Sequence, residues 1–331
     1  MINKILASLL LATVITTPAC AVTQKKALPP TVGVGDYVVK VENPTYPQGK
    51  GPRVSIDQAH HNYQTMADRF QGFAELVKAD GFVPSPGTAK FSRESLAKTD
   101  ILVICNALNK ANVDKWALPV LSAFSNEEIQ AVKDWVDDGG SLLLISDHMP
   151  FPSAVTDMGL AFGVEVQSNF AFYPDFVPNT GNMNLMRFFR YPPVQEGIVQ
   201  GGTLFGNRIT EGNKPSEAVP FVITFTGHAF RMKPAVPFTP VMQLGKGTNI
   251  LWPSVAEEMG PTTPSSGGDG LYQGVVLTSG KGRVGIFGEA SMWSVGYANW
   301  ENNYPMGFNN PQAKHNQQFI LNVMHWLAGG A

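Results

Sequence analysis

Three features of the chain predict an α/β fold built on a mostly parallel sheet. Two runs, Ile101–Cys105 and Ser141–Ile145, are almost wholly apolar, as strands covered on both faces must be. Amphipathic helical segments lie between and around them, so strands and helices alternate along the chain. The second run then ends in Ser146-Asp147-His148, ahead of Pro150 and Pro152, which cannot continue a ladder. Polar residues on such a strand-end loop stand where open α/β sheets receive ligands.

The 331 residues allow one large or two small domains, and 44% hydrophobic against 15% charged residues suffices for a large core. With 26 acidic and 24 basic residues, no basic stripe and no zinc-finger spacing, nucleic-acid binding is not expected. Lys4, the apolar run Ile5–Ile15 and the small residues Thr16–Ala21 read as an export signal over 1–21. That run is shorter than the roughly 20 residues a spanning helix needs. Ala19-Cys20-Ala21 fits release of a free protein, whereas Thr17-Pro18-Ala19-Cys20 fits lipid attachment at Cys20. Either implies export, to the periplasm, an envelope surface or the medium, with Cys20 the one route to a membrane. Cys105 is the only other cysteine, so no disulfide is expected.

Residues 22–52 read as a tether with one short strand near Tyr37–Val41. The core begins at the strand Arg53–Asp57. A helix is expected from about Tyr63 to Ala79, with Met66, Phe70, Phe73, Leu76 and Val77 on one face, Asn62 as N-cap and Gly81 as stop. Phe82–Pro84 and Glu94–Lys98 suggest a strand and a short helix. Ser125 and Glu128 form a capping box stapled by Phe124 and Ile129, opening a helix that ends at Gly139–Gly140. Between about 167 and 270 the rhythm is lost, which predicts a large irregular insertion with strand-like pieces at Phe221–Phe225 and Pro240–Leu244 and a loop at Pro261–Gly270. Gln273–Leu277 and Arg283–Phe287 read as a hairpin. A last helix is expected behind Asn310 as cap, with Pro311 at its first position. The architecture expected is a flavodoxin-like three-layer sandwich, one domain over 53–328 carrying that insertion.

The segments IDQAHHN, DILVICNAL, FSNEEIQAVKDWVDDGGSLLLISDHMPFP and GRVGIFGEASMW together resemble a bacterial branch of the class I glutamine amidotransferase-like superfamily. That grouping includes trehalose-utilisation-type proteins and auxiliary proteins of gliding-motility transporters. The resemblance covers about 53–166 and 271–328. Active members place a cysteine on a tight elbow after a central strand, backed by a late His and Glu. Here the corresponding neighbourhood reads Ser146-Asp147-His148, and no His-x-Glu pair surrounds Glu289. Cysteine-dependent glutamine hydrolysis is therefore not implied.

In a parallel sheet, loops at Asp57–Asn62, Asn106, Asp147–Phe151 and Glu289–Ser291 share one edge. This makes His60, His61, Asp147, His148 and Glu289 the candidate catalytic residues, and Asn62, Asn106, Phe151 and Ser291 the candidate substrate-binding ones. Imidazoles and carboxylates suit zinc, iron or manganese, but adjacent residues point apart and no HExxH spacing exists. A divalent metal is thus the minority expectation, and no cofactor is assured. Metal-free acid–base chemistry by a His–carboxylate pair is the other catalytic reading. Ser146 and Ser291 lack the G-x-S-x-G setting of a serine nucleophile.

Each candidate also has a plain structural use. Asn62 can cap a helix, Asn106 and Asp147 can close turns, and Cys105 can fill core. His228 reads as structural or surface-exposed, His315 and His325 as packing or solvated, and Phe151, Phe170, Phe172 and Tyr173 as core or pocket wall. The functional expectation is an exported hydrolase-like protein acting on a small polar substrate, of the carbohydrate-like class implied by the resemblance. Its counterpart is a non-catalytic cell-envelope ligand-binding or assembly module that kept the fold and lost the nucleophile.

Overall fold

A computed structural model describes residues 37–173, 185–190, 200–298 and 304–329. The export segment, Cys20 and most of the tether lie outside the described residues. Among those described, no helix is long and apolar enough to cross a membrane.

The first half of the chain alternates as expected: β1 (Arg53–Asp57), α1 (Gln71–Ala79), β2 (Val83–Gly87), α2 (Arg93–Leu96), β3 (Ile101–Cys105), α3 (Asn126–Asp137) and β4 (Ser141–Ile145). α3 has the capping box read from sequence, Ser125 Oγ accepting from Glu128 N and Glu128 returning to Ser125 N. Such a cap contributes on the order of 1 kcal/mol. Phe124 and Ile129 are both buried in the cluster that α3 forms with the sheet.

Two helix starts fall later than expected. Asn62 caps nothing, because its side chain is tied to Asp57 and to the end of β3, and residues 63–70 form turns before α1 begins. Asn310 closes a local turn by accepting from Gln312 N, and the last helix, α7, starts only at Asn316. Tyr37–Val41 forms no strand.

After β4 come α4 (Phe151–Ala154), α5 (Thr156–Ala161) and then the segment expected to be irregular. It is more regular than its sequence suggests. β5 (Val164–Glu165) lies just before it, and it carries β6 (Phe170–Phe172), β7 (Met186–Phe189), β8 (Gln200–Leu204), α6 (Arg208–Glu211), β9 (Phe221–Thr224), β10 (Arg231–Met232), β11 (Thr239–Leu244), β12 (Asn249–Leu251) and β13 (Ser265–Gly267). The hairpin β14 (Tyr272–Ser279) and β15 (Gly282–Phe287) follows, then β16 (Tyr297–Ala298), β17 (Tyr304–Pro305) and α7 (Asn316–Leu327).

Ten strands form one sheet in the order β2-β1-β3-β4-β15-β14-β11-β8-β7-β9. The half from β2 to β15 is parallel, and β14 and β11 turn the ladder antiparallel. Four strands of the expected insertion therefore extend the main sheet itself. Each edge is blunted against further pairing. Pro84 and Pro86 remove donors from β2. Asn316 meets β9 by accepting from Ile223 N and donating to Ile223 O.

Side-chain alternation builds the three layers. Ile101, Val103, Cys105, Leu143 and Ile145 face the core shared with α1 and α7. Leu102, Ile104, Leu142 and Leu144 face α3 and α5. Both faces are buried, so each Leu or Ile contributes roughly 1.5–3 kcal/mol relative to exposure.

Candidate functional site

The carboxyl ends of β1, β3, β4 and β15 are stitched into one rim by side chain to backbone hydrogen bonds. Asn62 Nδ2 donates to Cys105 O at 3.2 Å, and Leu108 N donates to His60 O at 2.9 Å. Asp147 N donates to Asn106 Oδ1 at 2.7 Å, and Ala290 N to Asp147 Oδ2 at 3.3 Å. The topology brings the four expected loops together. The candidate side chains, however, do not all face one space.

His60 is turned under the N-terminus of α3. Its Nδ1 lies 2.9 Å from both Asp57 oxygens, its Nε2 lies 2.9 Å from Glu128 Oε1, and Phe91 and Phe124 flank the ring. Burial opposes its protonation, but the two carboxylates outweigh burial and raise its pKa. Glu128 is held below the ordinary carboxylate range, its own burial overcome by bonds from Ser125 N, His60 and Phe91 N. Both ring nitrogens of His60 are thus committed to the scaffold. His61, at φ +47, is exposed.

Asn106 follows β3 directly and is 1% exposed, with φ +47. Asparagine tolerates this left-handed geometry better than most residues. The backbone thus turns through an elbow at Asn106, directly after β3. Asp147 accepts from His148 N at 2.7 Å besides Ala290 N. His148 has Nδ1 2.8 Å from Met149 O, stacks on Phe170 with centroids 4.4 Å apart, and stands edgewise to Trp116. Its Nε2 has no hydrogen-bond partner among the described residues. Tyr63, Trp116 and the half-buried His148 form an aromatic wall, with Phe151 buried behind it.

Glu289 is 1% exposed and holds the turn after β15, accepting from Ser291 N at 2.9 Å and Met292 N at 2.7 Å. Burial, reinforced by the charge of Asp147, pushes its pKa well above the ordinary carboxylate range. The protonated form of Glu289 is therefore favoured relative to an exposed carboxyl group. The Cys105 thiol shares this environment, and burial with the Asp147 and Glu289 charges drives its pKa up. The thiolate, which is the nucleophilic form, is thereby disfavoured. Ser291 enters through its backbone N–H.

His228, read as structural or surface-exposed, belongs to the rim. It is 0% exposed, donates N–H to Gly288 O at 2.6 Å, and has Nδ1 3.0 Å from Ser146 O. Burial lowers its pKa to about 3, so the ring is neutral. The signal for it was faint: a glycine before it, in a segment whose pairing depends on long-range contacts. Among the described residues no group of three or more His, Cys, Asp or Glu is placed to hold a metal ion. Two surface cavities, of about 520 Å³ beside Trp135, Lys281 and Arg283 and about 740 Å³ beside α2 and α3, lie away from this rim.

No family model matches the chain, and no curated protein does. Solved structures do. The N-terminal domain of mmIFT52 is 11% identical with a TM-score of 0.54, the match covering 84% of this chain and 98% of that domain. A ThuA-like protein from Bacteroides uniformis is 10% identical, TM-score 0.43, covering 88% and 94%. A GMP synthase subunit from Thermoplasma acidophilum is 10% identical, TM-score 0.38, covering 84% and 95%. The chain is thus an α/β protein that shares its fold with the N-terminal domain of mmIFT52 at low identity.

Proposed function

We propose that this chain is an exported, non-catalytic binding module that takes a small polar or carbohydrate-like ligand against the aromatic wall of Tyr63, Trp116 and His148. The observation that carries this reading is how the rim spends its ionisable groups. His60 bridges two carboxylates, Asp147 accepts from two backbone N–H groups, and Glu289 accepts from two more. Asn106 occupies the elbow. Groups so engaged hold a surface in shape and are poor proton carriers. Aromatic faces with one polar edge, as His148 offers through Nε2, suit the alternating CH and OH faces of a sugar.

The test is a binding screen of neutral mono- and oligosaccharides by thermal shift and tryptophan fluorescence. Binding by wild type, lost in both Trp116→Ala and His148→Ala at unchanged fold, supports the module. A hydrolase reading has one observation in its favour, the buried Glu289 whose pKa is raised by burial and by the charge of Asp147. Turnover of any glycoside or ester by wild type, abolished in Glu289→Gln without loss of stability, would replace the binding reading with that one.

A further inference from the structure

Three residues on adjacent strand ends lie in one row. Phe287 of β15 is paired with Ile145 of β4 and with Gly274 of β14. One residue onward, the row reads Ser146, Gly288, Gln273, with strands about 4.8 Å apart. Period-two alternation puts this row on the face of Leu144, Ile286 and Val275, the α3 side of the sheet. His228 lies over the middle of it: a Cβ on Gly288 would be 3.2 Å from His228 Nδ1, 3.3 Å from Gln273 Cγ and 2.5 Å from His228 O. Gly288 is thus the residue that lets the imidazole settle between Ser146 and Gln273.

Each of the three side chains around Gly288 keeps one buried polar atom without a partner among the described residues: Ser146 Oγ, His228 Nε2 and Gln273 Oε1. Their relative exposures are 1%, 0% and 0%. Their other polar atoms are engaged, which defines what the free ones can do. Gln273 Nε2 donates to Thr226 O at 2.7 Å, leaving its oxygen as an acceptor. His228 Nδ1 faces the Ser146 carbonyl, so the ring proton is there and Nε2 is a bare acceptor. Ser146 supplies a hydroxyl. Isolated buried orphans are uncommon, and two in one row with a third on the ring over it mark a binding position.

We propose that Ser146, His228 and Gln273 form a buried site for a small neutral hydrogen-bond donor, held in the free protein by water and open to displacement by a hydroxyl of the ligand. Two acceptors and one hydroxyl match the two to four bonds a buried water makes. A cation gains no carboxylate from this set, and an anion gains only one donor. The ligand arm rests on the binding reading above; the water arm does not.

The experiment uses the full chain. In free wild type, nitrogen NMR of histidine-labelled protein is expected to show His228 with a hydrogen-bonded Nε2 that does not titrate from about pH 5 to 8. Ser146→Ala is expected to lower Tm by about 2–4 °C, because it strips a partner from the bound donor. An unbonded Nε2 together with a raised Tm in Ser146→Ala overturns the site, since deleting a merely unpaired hydroxyl is stabilising. The NMR reading on wild type stands even where a variant folds poorly. With a saccharide that binds, a roughly tenfold weaker Kd in Ser146→Ala assigns the displacing hydroxyl to the ligand. An unchanged Kd confines the site to resident water. Failure of every saccharide to bind removes the ligand reading and leaves the free-protein result to decide this one.

Discussion

His60 Nε2 lies 2.9 Å from Glu128 Oε1, and this contact joins the loop after β1 to the capping box that starts α3. Asp57 closes the other side of the ring at 2.9 Å. His60→Ala leaves two buried carboxylates without their cation and is expected to cost about 3–5 kcal/mol, measured by urea denaturation. The pH dependence has a definite sign. His60 has a raised pKa, so its contribution is full below its ordinary 6.5 and fades as pH rises through the folded value. Glu128 has a lowered pKa, so its contribution is present above its ordinary 4.5 and is lost as pH falls through the folded value. In His60→Ala, the loss of stability on the alkaline side should shrink to the part that Glu289 carries.

Glu289 behaves in the opposite sense to Glu128. With its folded pKa raised, its contribution is full below 4.5 and declines as pH rises toward that folded value. Glu289→Gln removes the titration and keeps one acceptor oxygen, for either Ser291 N or Met292 N, in place of two. Denaturation midpoints from about pH 4.5 to 8 should therefore fall less in the variant than in wild type. An equal fall would show that some other group carries the dependence.

Cys105 should be silent toward thiol reagents in the native protein and react fully after denaturation. It is 1% exposed, and burial beside Asp147 and Glu289 disfavours the thiolate. Cys105→Val should be tolerated at less than about 1.5 kcal/mol, as a near volume-conserving core change. Rapid native labelling would mean that this strand end opens.

Asn106 tests the elbow. Asn106→Gly keeps access to φ +47 and loses only the acceptor for Asp147 N, whereas Asn106→Ala loses both. Ala should be the more destabilising, by roughly 1–2 kcal/mol in Tm-derived free energy. Equal costs would place the whole effect in the hydrogen bond.

The parallel half of the sheet was legible because strands buried on both faces announce themselves. Ile101–Cys105 and Ser141–Ile145 run unbroken in apolar residues, and Ser125 with Glu128 marks a helix start within four positions. Asn62 misled because asparagine serves caps and strand-end ties equally, and only the position of Asp57 and Cys105 O chose between them. The segment from 167 to 270 read as irregular because β7, β8, β9 and β11 are short and pair with partners remote in sequence.

Local periodicity and residue type were enough to set the layer order, the edge of the sheet that bears polar loops, and the absence of a cysteine nucleophile there. Which way each side chain at that edge turns was settled by long-range packing. It sent His60 to Glu128, buried Glu289 where its pKa is raised, and drew His228 over Gly288 between Ser146 and Gln273. Hydrogen-bond partners and burial govern those outcomes, and both are properties of neighbours far along the chain.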